Sequence, residues 1–456
     1  MPFTDLGLGP DVRAGIAKLG FETPTPVQAE VIPFLLKEKR DLVALAQTGT
    51  GKTAAFGLPL LEMLDVDRVV PQALILCPTR ELCKQITRDI AAFAAGMDKV
   101  KVLAVYGGAE ISSQLLALDR GVQIVVATPG RMVDLLEREC ADFSQVNHVV
   151  LDEADVMLNM GFEEDLNTIL SSVPEKARTF LFSATMPREV ARIAKNYMQN
   201  AHEITVGSRN AGSEGVSHEY CAVHAKDRYR ALRRIVDARP DLYGIIFCRT
   251  RLETQQVADN LRRDGYSAEP LHGDLSQQAR DGVMKKFRGK QIPLLVATDV
   301  AARGLDVNEL THVINYNLPD DLSTYTHRSG RTGRAGKSGI SIAIIHQSEY
   351  PILTRIEKEL GKKFTQRLVP TGSEIAESRL MSLAHNVRDF KSGPGLIDQH
   401  IDQMVELLAD VPKDELIKRF ASLDLAKLLL FYRDSYDLNE NVGTGAAHAQ
   451  RNKSRR

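Results

Sequence analysis

Between residues 42 and 297 the chain repeatedly sets down short runs that are apolar on both faces: LVAL at 42–45, ALILC at 73–77, VQIVVA at 122–127, VVL at 149–151, TFLF at 179–182, GIIF at 244–247 and LLVA at 294–297. Helix-length segments separate them. A strand with one wet face alternates apolar and polar residues, and these runs do not. They belong to parallel sheets covered by helices on both faces, which makes the fold class α/β.

At 456 residues the chain exceeds what one core accommodates, so more than one such unit is expected. The stretch GSRNAGSEGVS at 207–217 is dense in Gly and Ser and reads as a flexible linker. It divides an α/β domain at 1–206 from a second at 218–363. From residue 364 the β-type runs give way to helical spacing, as in Leu380, Leu383, Ala384, Val387 and Phe390, then Ile397, Ile401, Met404 and Leu408, then Leu416, Ile417, Phe420 and Leu423. Residues 364–438 are expected to form a small all-helical appendage, and 439–456 a disordered basic tail carrying Arg451, Lys453, Arg455 and Arg456. A bundle of that size buries only part of its apolar surface. The surplus is left to packing on its own chain, to self-association or to another partner.

Lys plus Arg total 58 against 59 Asp plus Glu, so any polyanion site must be a local patch rather than a whole-molecule field. With 43% hydrophobic and 26% charged residues the chain is neither disordered nor a membrane protein. The N-terminal MPFTDLGLGP has no basic and apolar leader pattern, which points to a cytoplasmic location. Five cysteines, none in C-x-x-C spacing, read as buried free thiols rather than as disulfides or a zinc site.

AQTGTGKT (Ala46, Gln47, Thr48, Gly49, Thr50, Gly51, Lys52, Thr53) follows one apolar run and opens a helical segment. That is the strand, loop, helix context of a P-loop, with backbone N–H groups and a helix N-terminus facing phosphates. Lys52 reaches the β/γ-phosphates, and the Thr53 hydroxyl is a Mg²⁺ ligand. HVVLDEADVML at 148–158 supplies the partner acids at a strand end: Asp152 to hold Mg²⁺ through water, and Glu153 to polarise the attacking water. HRSGRTGRAG at 327–336 places arginines between glycines in the second domain, suited to reach a γ-phosphate across a cleft.

With these residues in place, the chain resembles the DEAD-box RNA helicases of superfamily two over roughly residues 3–363. Phe3 and GFETPTPVQ at 20–28 resemble the Q motif, which implies that Gln28 bonds adenine and Phe21 stacks near it. PTREL (Pro78, Thr79, Arg80), Gly107 with Gly108, and TPGR (Thr128, Pro129, Gly130, Arg131) match RNA-backbone contacts. So do Arg249 and Thr250, Arg280 and Thr298 in the second domain. SAT, with Ser183 and Thr185, matches the motif coupling nucleotide state to duplex separation, together with Asp155. Gly304 and Asp306 resemble nucleotide contacts, with Asp306 on the ribose hydroxyls. Arg331 and Arg334 resemble the two arginine fingers, and His327 the residue that couples to the DEAD segment. Cys248 and Ser329 depart mildly from the pattern, standing where many members carry aliphatic residues.

The resemblance implies two tandem RecA-like domains binding ATP, Mg²⁺ and RNA, with ATP-driven closure that locally unwinds short duplexes without base specificity. An ATP-dependent RNA clamp or remodeller of RNA–protein complexes is the alternative. More loosely, 364–438 resembles the dimerisation appendage of some bacterial cold-response members, which implies a homodimer. No membrane partner is expected.

Overall fold

The computed structural model describes residues 2–47, 49–139, 142–206, 215–302, 307, 310–333, 338–390, 400–433 and 436–440. Among these, fourteen strands form two seven-stranded sheets with parallel pairing throughout. The first sheet holds β1 (Leu42–Leu45), β2 (Ala73–Leu76), β3 (Val102–Val105), β4 (Ile124–Ala127), β5 (His148–Asp152), β6 (Arg178–Ser183) and β7 (His202–Thr205), in the order β3-β4-β2-β5-β6-β1-β7. The second holds β8 (Val216–Ala222), β9 (Gly244–Phe247), β10 (Ala268–Leu271), β11 (Leu294–Ala297), β12 (His312–Asn315), β13 (Gly339–Ile345) and β14 (Thr365–Gln366), in the order β10-β11-β9-β12-β13-β8-β14.

The apolar runs named above are β1, β2, β4, β5, β6, β9 and β11, and each lies inside its sheet. Of the strands they do not cover, β3, β7, β10 and β14 are the four edges, where one missing neighbour relaxes the demand for apolar residues. The other three, β8, β12 and β13, carry buried polar side chains that interrupt the pattern: His218, Glu219, Asn315 and Ser341. Apolar clusters cover the first sheet on both faces, one containing Phe56, Phe180 and Phe182, the other Leu74, Leu151 and Leu181.

Two boundaries differ from the sequence reading. Val216 and Ser217, read as linker, are the first residues of β8 and pair with Gly339 and Ile340; positions 207–214 lie outside the described residues. Residues after 364 are not wholly helical either, because β14 adds to β8 and Val369 enters the second-domain core. The helices Gly372–Asp389, Ile401–Leu407 and Lys413–Tyr432 follow. The chain then returns to the sheet: Leu438 joins the same core, Asn439 bridges Val223, and Glu440 N donates to the Ala222 carbonyl at 2.9 Å. Positions 441–456 of the expected tail lie outside the described residues. Cys77, Cys83, Cys221 and Cys248 are buried free thiols. Among the described residues no helix is long and apolar enough to cross a membrane.

Sheet order fixes where chemistry can gather. In parallel sheets ligands sit beyond the carboxyl ends of the strands. Adjacent β5, β6 and β1 end at Asp152, Ser183 and Leu45, so the acidic pair, SAT and the P-loop meet there. The neighbouring group β2, β4 and β3 leads into PTREL, TPGR and the Gly pair.

Candidate nucleotide site and interdomain cleft

The P-loop leaves β1 through Ala46, whose N–H donates to the Ser183 carbonyl at 3.0 Å. Thr50 Oγ1 closes the turn onto the Gln47 carbonyl at 2.7 Å. Gly51 caps the helix Lys52–Met63 at φ +89°, and a Cβ there would stand 2.4 Å from Gln28 Nε2. Only glycine fits that position. Gln28 is already engaged: its Nε2 donates to the Gly51 carbonyl at 3.1 Å and its Oε1 accepts from Thr25 N at 2.9 Å. One N–H and one lone pair remain for a base edge. Phe21 is 43% exposed and, with Phe3, lines an open pocket of about 450 Å³.

Lys52 and Glu153 are buried, yet among the described residues Lys52 Nζ and Glu153 Oε2 have no hydrogen-bond partner. Such atoms are costly unless a ligand completes them. Glu153 also holds a left-handed backbone at φ +52° directly after β5, the kind of strain that persists where a side chain must be aimed. Burial pushes the Asp152 carboxyl up to about 6, Lys52 opposing and Glu153 adding to the shift. The pocket thus holds more carboxylate than cation, and Asp152 and Thr53 are the residues that would hold a divalent ion there.

The two domains meet at Asp155. Its Oδ2 accepts from Thr185 N at 3.0 Å, from Thr185 Oγ1 at 2.6 Å, and lies 3.3 Å from His327 Nε2 of the second domain. Burial pushes this carboxyl up, but His327, Thr185 and Lys52 together outweigh burial and hold Asp155 well below the ordinary carboxylate range. Ser183 Oγ donates to the Thr185 carbonyl at 2.7 Å and keeps SAT folded under this contact. Sequence reasoning did not single out Ser323, whose Oγ lies 3.5 Å from both Thr185 Oγ1 and Asn159 Nδ2.

His327 sits on the helix Leu322–Ser329, whose position is set by Arg328. That guanidinium is bidentate to Asp299, at 2.5 and 2.8 Å, and donates to Asn315 Oδ1 and the Asn317 carbonyl. Arg331 follows one turn later, buried beside it. Thr48, Gly304, Asp306 and Arg334 lie outside the described residues.

On the other side of the cleft, Pro78, Thr79, Arg80, Gly107, Thr128, Gly130, Arg131 and Arg280 line a cavity of about 460 Å³ between the domains. Arg80 lies against Gly108, where φ is +80° and a Cβ would come within 2.2 Å of its Nη1. Thr79 and Thr250 cap their helices by accepting from Leu82 N and Glu253 N, and each hydroxyl keeps its proton to donate. Pro129 opens the helix after Thr128, and Thr298 is buried at the end of β11. Arg131 is turned inward, onto the Ala109 carbonyl, Gln114 and Asp134. Arg249 reaches the Leu318 carbonyl and Asp320. Contacts that cross the cleft here include Arg80 Nη1 to Gln277 Oε1 at 3.4 Å and Arg280 Nη2 to Glu81 Oε1 at 3.3 Å.

Comparison with known proteins identifies the family. Residues 25–193 match the DEAD/DEAH box helicase family, 227–336 the helicase conserved C-terminal domain, and 375–433 the helical domain of probable ATP-dependent RNA helicases. The chain is 41% identical over 420 residues to the ATP-dependent RNA helicase DeaD of Mycobacterium tuberculosis, covering 92% of this chain and 74% of the relative. It is 43% identical over 377 residues to the DEAD-box ATP-dependent RNA helicase CshA of Geobacillus kaustophilus, covering 83% and 80%. Saccharomyces cerevisiae Dbp5 bound to RNA and ADP BeF3 superposes with a TM-score of 0.74 at 31% identity, over 80% of this chain and 95% of that one. Mss116p bound to ssRNA and AMP-PNP does so with a TM-score of 0.72 at 29% identity, over 85% of each. The two sheets are therefore a tandem RecA-like pair, and the chain belongs to the DEAD-box family of ATP-dependent RNA helicases.

Proposed function

We propose that this helicase binds ATP with Mg²⁺ on the first domain, closes the second domain over both nucleotide and RNA backbone, and separates short duplexes locally on closure. The observation that supports this most directly is the cross-domain contact of His327 with Asp155, three residues from the Mg²⁺-facing Asp152. Adenine stacks near Phe21 and bonds the free edge of Gln28. Because Gln28 also holds the Gly51 carbonyl, an adenine base and the phosphate loop are joined through one side chain.

Lys52 draws the β/γ-phosphates to the helix N-terminus, while Asp152 and Thr53 would hold the metal. A bound Mg²⁺ supplies charge neutralisation on the phosphate oxygens. Glu153, aimed by its left-handed backbone, orients the attacking water and takes its proton. Arg331 and Arg334 arrive with the second domain and stabilise charge on the transferring phosphoryl, so turnover requires closure. The RNA groove offers Arg, Thr and backbone N–H groups. These read phosphate and sugar rather than bases, which makes binding independent of sequence. Hydrolysis removes the γ-phosphate that both domains hold, and the RNA is released.

Release of a labelled strand from a short RNA duplex, with ATP or a non-hydrolysable analogue, tests this reading in the parent, Lys52→Ala and Glu153→Gln. Lys52→Ala should lose turnover and strand release. Glu153→Gln should lose RNA-stimulated hydrolysis while retaining ATP and RNA. Persistent RNA retention by the parent with ATP and no strand release would favour the clamp.

A second reading concerns partners. On the appendage, Val387, Phe390, Leu407, Leu423 and Leu430 are exposed apolar side chains. That surface supports a homodimer formed through the helices.

A further inference from the structure

Two loops with different duties leave neighbouring strands of the second sheet. β9 and β12 are adjacent; beyond their carboxyl ends lie Arg249, assigned to RNA phosphate, and the helix Leu322–Ser329, which carries His327 and leads to Arg331. Asn317 stands between them, two residues past the end of β12 and 7% exposed. Each of its polar groups is engaged. Its N–H donates to the Phe247 carbonyl at 3.4 Å, and its carbonyl accepts from Arg328 Nη1 at 2.7 Å. Its Oδ1 accepts from Arg249 N at 2.9 Å, and its Nδ2 donates to Glu253 Oε1 at 3.1 Å. Glu253 Oε2 accepts from the same Arg249 N at 3.1 Å.

These bonds divide between the two loops. The Asn317 backbone holds the finger helix through Arg328, while its side chain holds the RNA loop through Arg249 N and Glu253. The Arg249 guanidinium, 52% exposed, engages the Leu318 carbonyl at 3.3 Å and Asp320 at 3.6 Å, both on the segment that runs into the helix. An exposed ion pair of that length is weak, and a phosphate offers the guanidinium a bidentate partner. RNA therefore draws the Arg249 side chain off residues 318–320, while Asn317 keeps the Arg249 backbone tied to them. We propose that Asn317 is the positioning residue through which a phosphate bound at Arg249 sets the helix carrying His327 and leading to Arg331, so that RNA raises turnover.

This inference rests on the proposed roles of Arg249 in RNA binding and of Arg331 in hydrolysis. Asn315 supplies the contrast with a residue that only supports the helix. Its Oδ1 accepts from the same Arg328 Nη1 at 3.0 Å and its Nδ2 donates to Ser341 Oγ at 3.4 Å, with no side-chain bond to the RNA loop among the described residues. Loss of Asn315 loosens the helix whether or not RNA is bound. Loss of the Asn317 side chain uncouples the helix from Arg249 and leaves Arg328 its carbonyl partner.

The test compares ATP turnover with and without saturating single-stranded RNA, and RNA affinity without nucleotide, in the parent, Asn317→Ala, Glu253→Gln and Asn315→Ala. Asn317→Ala should lower the ratio of stimulated to unstimulated turnover by about tenfold, the effect of losing one good hydrogen bond. Its RNA affinity without nucleotide should match the parent, because the Arg249 guanidinium is intact. Glu253→Gln sets an amide donor against Asn317 Nδ2 or Arg249 N and leaves the buried Asn317 in place. It should lower the same ratio by a smaller factor, and it decides the matter if Asn317→Ala does not fold. Asn315→Ala should lower both rates and leave their ratio as it is. An unaltered ratio in Asn317→Ala and Glu253→Gln overturns the proposal. So does a loss of stimulation that more RNA restores, which would confine Asn317 to shaping the RNA contact. Failure of RNA to stimulate the parent removes the reading beneath this inference, and the inference with it.

Discussion

Single residues carry the division of labour between binding and turnover. Lys52 and Glu153 belong to the first domain and Arg331 to the second, so their removal should act on different steps. Arg331→Ala and Arg334→Ala should lower RNA-stimulated ATP turnover by orders of magnitude, roughly a thousandfold or more for an arginine finger. Nucleotide affinity should change far less, because Lys52, Gln28 and the P-loop remain. Equal turnover in variant and parent at saturating RNA would refute the assignment. A different residue contributes to acid sensitivity. His218 is buried, its Nδ1 is 2.6 Å from Tyr325 Oη, and burial, aided by nearby Lys362, pushes it from the ordinary 6.5 down to about 4. The folded state thus binds this proton less readily than the unfolded state. Its stability contribution is present above pH 6.5 and is lost as pH falls toward 4. Lowering the pH from 7 to 5 should cost about 2 kcal/mol through this group alone. Chemical unfolding followed by circular dichroism at the two pH values should show that difference shrink in His218→Gln.

At the scale of elements, the appendage is tied to the second domain by a buried polar hub. Asp237, at the end of the helix Arg228–Asp237, accepts from Tyr266 Oη at 2.6 Å, from Tyr432 Oη at 2.5 Å and from Arg379 at 3.4 Å. The Arg233 guanidinium stacks 3.5 Å from the Phe431 ring centroid. Tyr432→Phe removes one bond to a buried carboxylate, worth about 1–3 kcal/mol, so hydrogen exchange should quicken in the helices Gly372–Asp389 and Lys413–Tyr432 while the first sheet is unaffected. Uniform exchange across the chain would contradict a local hub. None of this was legible in the sequence, because Asp237, Tyr266, Arg379 and Tyr432 are far apart in the chain and belong to no motif. The P-loop, the acidic pair and the arginine loop were legible because their residues are adjacent in sequence and each signature needs only local geometry. The cross-domain contacts of Glu81 and Ser323 were not, since they depend on how two sheets face each other. Strands showed where burial on two faces forces apolar runs, and hid at edges and where His218, Glu219 or Ser341 is buried among apolar residues.

For the whole molecule, the hub decides what the appendage can transmit. Val369 and Leu438 enter the second-domain core at either end of the helical segment, and Asn439 pairs with Val223. The appendage therefore travels with the second domain. If two chains associate through their exposed apolar helices, the second domains are joined and the first domains stay free to open and close. Two cores on one RNA would then raise apparent affinity through effective concentration. Light scattering on the full chain should give the mass of two copies at micromolar concentration, and Leu423→Glu should return it to one. Turnover per chain at saturating RNA should be unchanged, since Leu423 is remote in sequence from every motif of the cleft. RNA needed for half-maximal stimulation should rise in the variant on long strands and not on strands that fit a single core. Truncating the chain at 363 is the wrong control, because it strips β14, Val369, Ile375 and Leu438 from the second domain and uncovers its core. A single-copy mass for the unaltered chain would remove the dimer and leave the apolar helices to another partner.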